Sequence, residues 1–136
     1  MITKFKLFEN NYQSLISKIQ SVLTPDLLKG MWNKHFDNPL EGHCYVAAEA
    51  LYWILGGPDS DWKPYVLSHK TFPESLAEGE THWFLKNNKT GEILDPTKEQ
   101  FGDEPILYDR GISNGMMNYP KGGSKRAKEI IRRIDL

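Results

Sequence analysis

Apolar positions recur along the chain first at helical spacing and then in short alternating runs. Leu15, Ile16, Ile19, Val22 and Leu23 fall on one side of a 3.6-residue period, which predicts an amphipathic helix from Asn11 to Leu23. Thr24-Pro25-Asp26 reads as the start of a second helix, with Thr as N-cap and Pro at the first helical position. That helix would turn Leu27, Leu28, Met31 and Trp32 inward, before a loop over Asp37 to Gly42. His43 to Leu55 predicts a third helix, ended by Gly56-Gly57-Pro58, with Cys44, Ala48, Leu51 and Leu55 on one face. Tyr65-Val66-Leu67 predicts a short strand, and Thr71 to Gly79 an exposed polar loop. His82 to Lys86 and Glu92 to Pro96, separated by Asn87-Asn88-Lys89-Thr90-Gly91, predict a β-hairpin. The stretch from Gln100 to Gly123 is irregular. Ser124 to Ile134 closes the chain as a helix with Ala127, Ile130, Ile131 and Ile134 on one stripe.

Helices at both ends with strands in the second half indicate an α+β fold. A length of 136 residues suits one domain, 1–136. A hydrophobic fraction of 39% with 12% aromatics is enough for a packed core rather than a disordered chain. No apolar run approaches the roughly 20 residues of a membrane helix, and Met1 to Phe5 lead into no apolar signal core. No membrane association and a cytoplasmic location are therefore expected. The net charge of −1 hides an asymmetry. From Lys121 to Leu136 six basic residues stand against two acidic ones, leaving about −5 on the remainder.

Cys44 is the single cysteine, so no intramolecular disulfide can form. Its predicted place in the first turn of a helix sets the thiol near unpaired N–H groups and the positive end of the helix dipole, which favours the reactive thiolate. A backbone N–H of that turn can also stabilise a developing oxyanion. The plainer reading is a small buried hydrophobe. A nucleophile needs a base, and the base a partner that orients it. Pairing the hairpin with Lys86 opposite Gly91 puts His82 directly opposite Asp95 and on the same face. Closing it on Asn88 and Glu92, with Gly91 left-handed, puts them on opposite faces. Both registers are open at this point.

Gly42-His43-Cys44 opening a helix, then His82-Trp83 on a strand, then Gly91-Glu92-Ile93-Leu94-Asp95-Pro96-Thr97, resemble the transglutaminase-like core of the papain-like cysteine protein superfamily. The likeness spans roughly residues 42 to 97 and keeps the order Cys, His, Asp. The chain also resembles small phage and bacterial proteins carrying Gly-His-Cys-Tyr-Val-Ala and Leu-Asp-Pro-Thr. The resemblance implies a Cys-bearing helix packed on a small antiparallel sheet and a Cys44–His82–Asp95 triad. It further implies transamidation, deamidation, or amide or peptide hydrolysis on a protein, peptide or small amide substrate, with no cofactor.

Other residues have two readings each. Asn38, six residues before Cys44, is a second oxyanion donor or a turn residue before Pro39. His43 points about 100° away from Cys44 on a helix, as a flank residue or a substrate contact. Trp83 is core or a substrate platform. A metal site built from His43, His82 and Asp95 has no supporting motif. His35 and His69 join no motif, and Tyr108, Arg110 and Gly111 form either a rim over the site or plain surface. Lys121-Gly122-Gly123-Ser124-Lys125-Arg126 runs glycines into a basic helix start. It is an ordinary N-cap or an anion-binding turn for a phosphate-containing ligand or nucleic acid. In the second case the chain is a non-catalytic binding module.

Overall fold

The computed structural model describes residues 9–24 and 43–134. The second predicted helix beyond Thr24, His35, Asn38 and the loop up to Gly42 lie outside the described residues. Helix α1 spans Glu9–Ser21, α2 Cys44–Ile54 and α3 Lys125–Arg133. Strands β1 (Trp62–Ser68), β2 (Thr81–Asn87), β3 (Ile93–Leu94) and β4 (Ile112–Ser113) form one antiparallel sheet in the order β3-β2-β1-β4. The fold is α+β. Among these residues no helix is long and apolar enough to cross a membrane.

Helix α2 is the centre. Its Ala47, Ala48 and Ala50 are fully buried, so neighbouring elements approach the helix closely on more than one side. Val46, Leu51 and Tyr52 are buried as well, and Glu49 is buried among them. The single inner face read from Cys44, Ala48, Leu51 and Leu55 is therefore too narrow, because a helix enclosed on most sides shows no clean polar stripe. Leu15, Ile16 and Ile19 of α1, Trp83 and Leu85 of β2, and Ala127 and Ile130 of α3 join α2 in one apolar cluster. Burying a Leu or Ile side chain of this kind contributes about 2 kcal/mol.

Alternation along the strands gives the sheet a second buried face. Leu67 and Phe84 pack there with Phe72 and Leu76, and Tyr65, Phe101 and Tyr108 flank them. The segment over Thr71 to Gly79, expected to be exposed and polar, is thus pinned by two buried apolar side chains. Phe72 and Leu76 are four apart with no continuing period, so the sequence pattern around them shows no regular element. Pro64 lies inside β1 without breaking the β1–β2 ladder. Its carbonyl accepts from Asn114 N–H on the β4 side, so its missing donor also faces the short outer strand rather than β2.

The caps are set locally. Ser124 is the N-cap of α3, its Oγ accepting from Ala127 N–H at 3.2 Å. Arg133 near the other end donates to Val22 O at 3.0 Å and to Thr24 Oγ1 at 2.6 Å, which ties α3 to the end of α1. After α2 the chain turns through Gly56 and Gly57, both with positive φ. A Cβ on Gly57 would stand 2.7 Å from the Trp53 ring. Gly57→Ala is therefore expected to destabilise the protein by about 1–3 kcal/mol through backbone strain and overpacking. The check is the urea unfolding midpoint, and an unchanged midpoint would show that the turn relaxes freely.

Candidate active site

Cys44 is the first residue of α2, preceded by His43 as the N-cap. Cys44 is 8% exposed, and its Sγ meets the beginning of β2, where it donates to Thr81 O at 3.5 Å. The next residue is His82, which is wholly buried on the Phe84 face of the sheet. The Phe101 ring stands edge-on to the imidazole at 4.8 Å. His82 Nε2–H donates to Asp95 Oδ2 at 2.6 Å.

The hairpin reaches this geometry in neither expected register. The strands pair Lys86 with Ile93 and Leu85 with Leu94, not Lys86 with Gly91. Asp95 thus follows the end of β3, diagonal to His82 rather than opposite it. The shift is two residues, which keeps both side chains on one face, and a diagonal pair is within reach of an imidazole. The alternative closure on Asn88 and Glu92 is not formed either, although its left-handed Gly91 is present, with φ 79°. The loop's own polar groups decide the outcome. Asn87 Oδ1 accepts from Lys89 N–H and Thr90 N–H at 2.9 and 3.1 Å, while Asn87 N–H donates to Glu92 O at 2.9 Å.

Asp95 is buried and fully engaged. Oδ2 also accepts from Tyr108 O–H at 2.8 Å, and Oδ1 accepts from Thr97 N–H at 3.1 Å. The Asp-Pro-Thr run is a local device: the carboxylate closes on the N–H two residues ahead. Gln20 of α1 donates to Pro96 O at 2.9 Å and so braces the turn from behind. Burial is the strongest influence on His82 and pulls its pKa down. The hydrogen bonds to Asp95 and Cys44 and the negative charge of both outweigh it, holding the pKa up at about 9. Tyr108 is pushed well above its usual value by burial first, then by the charge and hydrogen bond of Asp95, with Glu99 adding to it. Its hydroxyl therefore stays a donor.

Two side chains that contact the His82–Asp95 pair are not read as its partners in the sequence. Gln100 Nε2 lies 2.7 Å from His82 Nδ1, in the turn Lys98–Phe101 that follows Asp95. Tyr108, taken there as rim or surface, contacts the carboxylate itself. The turn Lys98–Phe101 brings Gln100 to the imidazole and the turn Tyr108–Arg110 brings Tyr108 to the carboxylate, and no spacing rule marks either contact.

A cleft of about 870 Å³ opens over Cys44, lined by Trp83, Leu76, Gln100, Phe101 and Tyr119 among others. Trp83 belongs to the core and shows an edge to this cleft, meeting the Tyr45 ring at 4.9 Å. One wall includes Ser75 and Leu76, in the segment anchored by Phe72 in the core. The other wall begins at Met116–Asn118 and rests on α2. Trp53 Nε1–H donates to Met117 O at 2.9 Å, and Tyr52 O–H to Asn118 Oδ1. His43 faces away from the cleft, with Nε2 3.0 Å from Thr24 O, so the metal grouping of His43 with His82 and Asp95 is not assembled.

The candidate anion-binding turn at Lys121, Ser124, Lys125 and Arg126 already holds an anion of the chain itself. Ser124 N–H and Oγ–H donate to Glu49 Oε2 and Oε1 at 2.8 and 2.7 Å. A carboxylate at a helix N-terminus satisfies its free donors and complements its dipole. A phosphate would have to displace a buried internal partner. Lys125 and Arg126 line the cleft instead.

Comparison with protein-family models, with curated proteins and with solved structures returns no match for this chain.

The raised His82 pKa has a signed consequence. A group held above its unfolded value of 6.5 contributes stability that is complete below that pH and fades as pH rises through about 9. Thermal unfolding of wild type and His82→Gln from pH 6 to 10 should show a gap that narrows across this window, and a constant gap would contradict it. Tyr108→Phe removes one neutral donor from the carboxylate and should cost about 1 kcal/mol in urea unfolding.

Proposed function

We propose that this chain is a cysteine-dependent acyltransferase or amide hydrolase of transglutaminase-like type, using Cys44, His82 and Asp95. The observation that carries this reading is the buried His82–Asp95 contact at 2.6 Å, with the Cys44 thiol acting on the same imidazole from the first turn of a helix. The brace that Thr97 and Tyr108 give the carboxylate would also hold the ring and its tautomer while charge develops.

Nε2–H stays with Asp95 throughout, so Nδ1 is the working nitrogen. The thiol proton passes from Sγ to Nδ1, and Sγ bonds to the carbonyl carbon of an amide. The electron pair of the C=O bond moves to oxygen, where the backbone N–H groups at the start of α2 can meet it. Collapse breaks the C–N bond as Nδ1–H gives its proton to the departing amine. The thioester is then attacked by water or a second amine, whose proton returns through Nδ1, and the C–S bond breaks. Water as acceptor gives hydrolysis or deamidation; an amine gives transamidation.

A phosphate-binding module is the less favoured reading, because the helix start it would use is occupied by Glu49.

The test is acylation by p-nitrophenyl acetate, followed by mass spectrometry and nitrophenolate release. Wild type should carry an acetyl group on Cys44 and Cys44→Ala none. His82→Ala should be slower by about 10²-fold or more, in line with loss of a general base. Asp95→Asn should be slowed less, with the fold kept. His82→Ala acylating as fast as wild type would sink the proposal.

A further inference from the structure

The cleft over Cys44 is lined by charges of both signs, and they come from different parts of the chain. Lys125 and Arg126, the first two residues of α3, continue the wall that begins at Met116. Glu80 belongs to the wall that includes Ser75 and Leu76, where its carboxylate accepts from Ala77 N–H at 2.7 Å. It stands one residue before Thr81, whose carbonyl accepts from the Cys44 thiol. The fourth charge is Glu49. It is 1% exposed and both its oxygens accept from Ser124, so it is satisfied in place.

The basic wall acts close to the nucleophile. Burial pushes the Tyr45 hydroxyl up to about 12, Glu49 adds to the shift and Arg126 opposes it. The guanidinium charge therefore acts on the residue next to Cys44. A hydroxyl held that high stays uncharged and adds no negative charge to this wall. Lys125 is exposed, so an entering ligand can meet its ammonium directly.

Size and rim favour a length of chain over a small amide. The cleft measures about 870 Å³, toward the upper end of the roughly 300–1,000 Å³ of ligand clefts, which is more than one amide group fills. Met116 and Tyr119 line it while 57% and 82% exposed. Large apolar side chains held out beside a cleft are the kind that anchor a bound protein segment. A nucleic acid fits less well, because its negative charge repeats at every nucleotide. A strand crossing this cleft would run against Glu80 as well as along Lys125. A single carboxylate on a peptide meets the basic wall alone.

We propose that the acyl donor is an extended protein segment with an acidic side chain next to the reacting residue, bound by Lys125 and Arg126, and an apolar side chain resting on Met116 and Tyr119. This rests on the acyl-transfer reading above and names the substrate class of that site.

The experiment uses p-nitrophenyl esters of the N-acetylated tripeptides Leu-Glu-Gly, Leu-Gln-Gly and Leu-Lys-Gly at pH 7. Nitrophenolate release gives kcat/KM, and mass spectrometry locates the acyl group. Wild type should prefer the Glu ester to the isosteric Gln ester by about two- to fivefold, the range of one exposed ion pair. The Lys ester should be the slowest. In about 1 M salt, where charges are screened within about 3 Å, the Glu-to-Gln ratio should fall toward one. Lys125→Glu should bring that ratio to one or below, and Arg126→Gln should reduce it. The ratio divides out any change in the reactivity of Cys44 itself. Tyr119→Ala should lower kcat/KM for all three esters about fivefold and leave the ratio as it is. Thermal unfolding of each variant checks that the fold is kept.

A ratio of one in wild type would overturn the proposal. So would a preference for Glu that survives both charge substitutions, since it would then belong to another cation such as protonated His82. Equal rates in wild type and Tyr119→Ala would remove the apolar contact and overturn it too. Stronger inhibition by oligo-dT than by the free acid of acetyl-Leu-Glu-Gly would overturn it in favour of a nucleic acid. If no ester acylates Cys44 in wild type, the acyl-transfer reading itself falls. The two failures are therefore distinct.

Discussion

A carboxylate and an imidazole shut away from solvent are the constraint on which the second half of this protein depends. The side chains of Asp95 and His82 are 1% and 0% exposed. A buried charge without partners is unfavourable by several kcal/mol, so every acceptor position has to be met from the chain itself. Thr97 N–H, Tyr108 O–H and the imidazole meet Asp95, and Gln100 meets the remaining ring nitrogen. Apart from the imidazole, which β2 supplies, these partners come from the turns after β3. The irregular stretch from Gln100 onward is irregular because its work is to bring polar groups back to one point, not to extend a ladder.

Helix α2 solves the complementary problem. Its start presents Cys44 to the end of β2, and its later turns hold the far wall of the cleft through Glu49, Tyr52 and Trp53. Cys44 and this wall therefore share one rigid element, enclosed by α1, β2 and α3. Positioning of this kind needs little from the loops themselves. The segments at 72–76 and 116–118 are fastened to the core by a few buried side chains and hydrogen bonds, which leaves the space between them open for a ligand.

Glu49 shows how one buried group can remove an apparent site. Basic residues and glycines before a helix are an anion-binding pattern in sequence. Here the anion is internal, and its two bonds to Ser124 fix α3 against α2. Lys125 and Arg126 line the cleft, to which they add positive charge.

Local chemistry determined much of this in the sequence alone. The stripes of α1 and α3, the stop at Gly56-Gly57, the N-cap Ser124 and the place of Cys44 in the first turn of α2 all follow from side-chain periodicity and backbone rules that act within a few residues. That His82 and Asp95 share a face follows from strand parity, which a two-residue slip leaves unchanged. The register itself was decided by how Asn87 folds its amide over the loop, a choice made among near-equal turns. Tertiary structure alone brought Tyr108 and Gln100 to the pair, made Phe72 and Leu76 core, and put Glu49 under α3. Such contacts are set by where elements pack, and a one-dimensional pattern carries no record of which distant polar group will answer a buried charge.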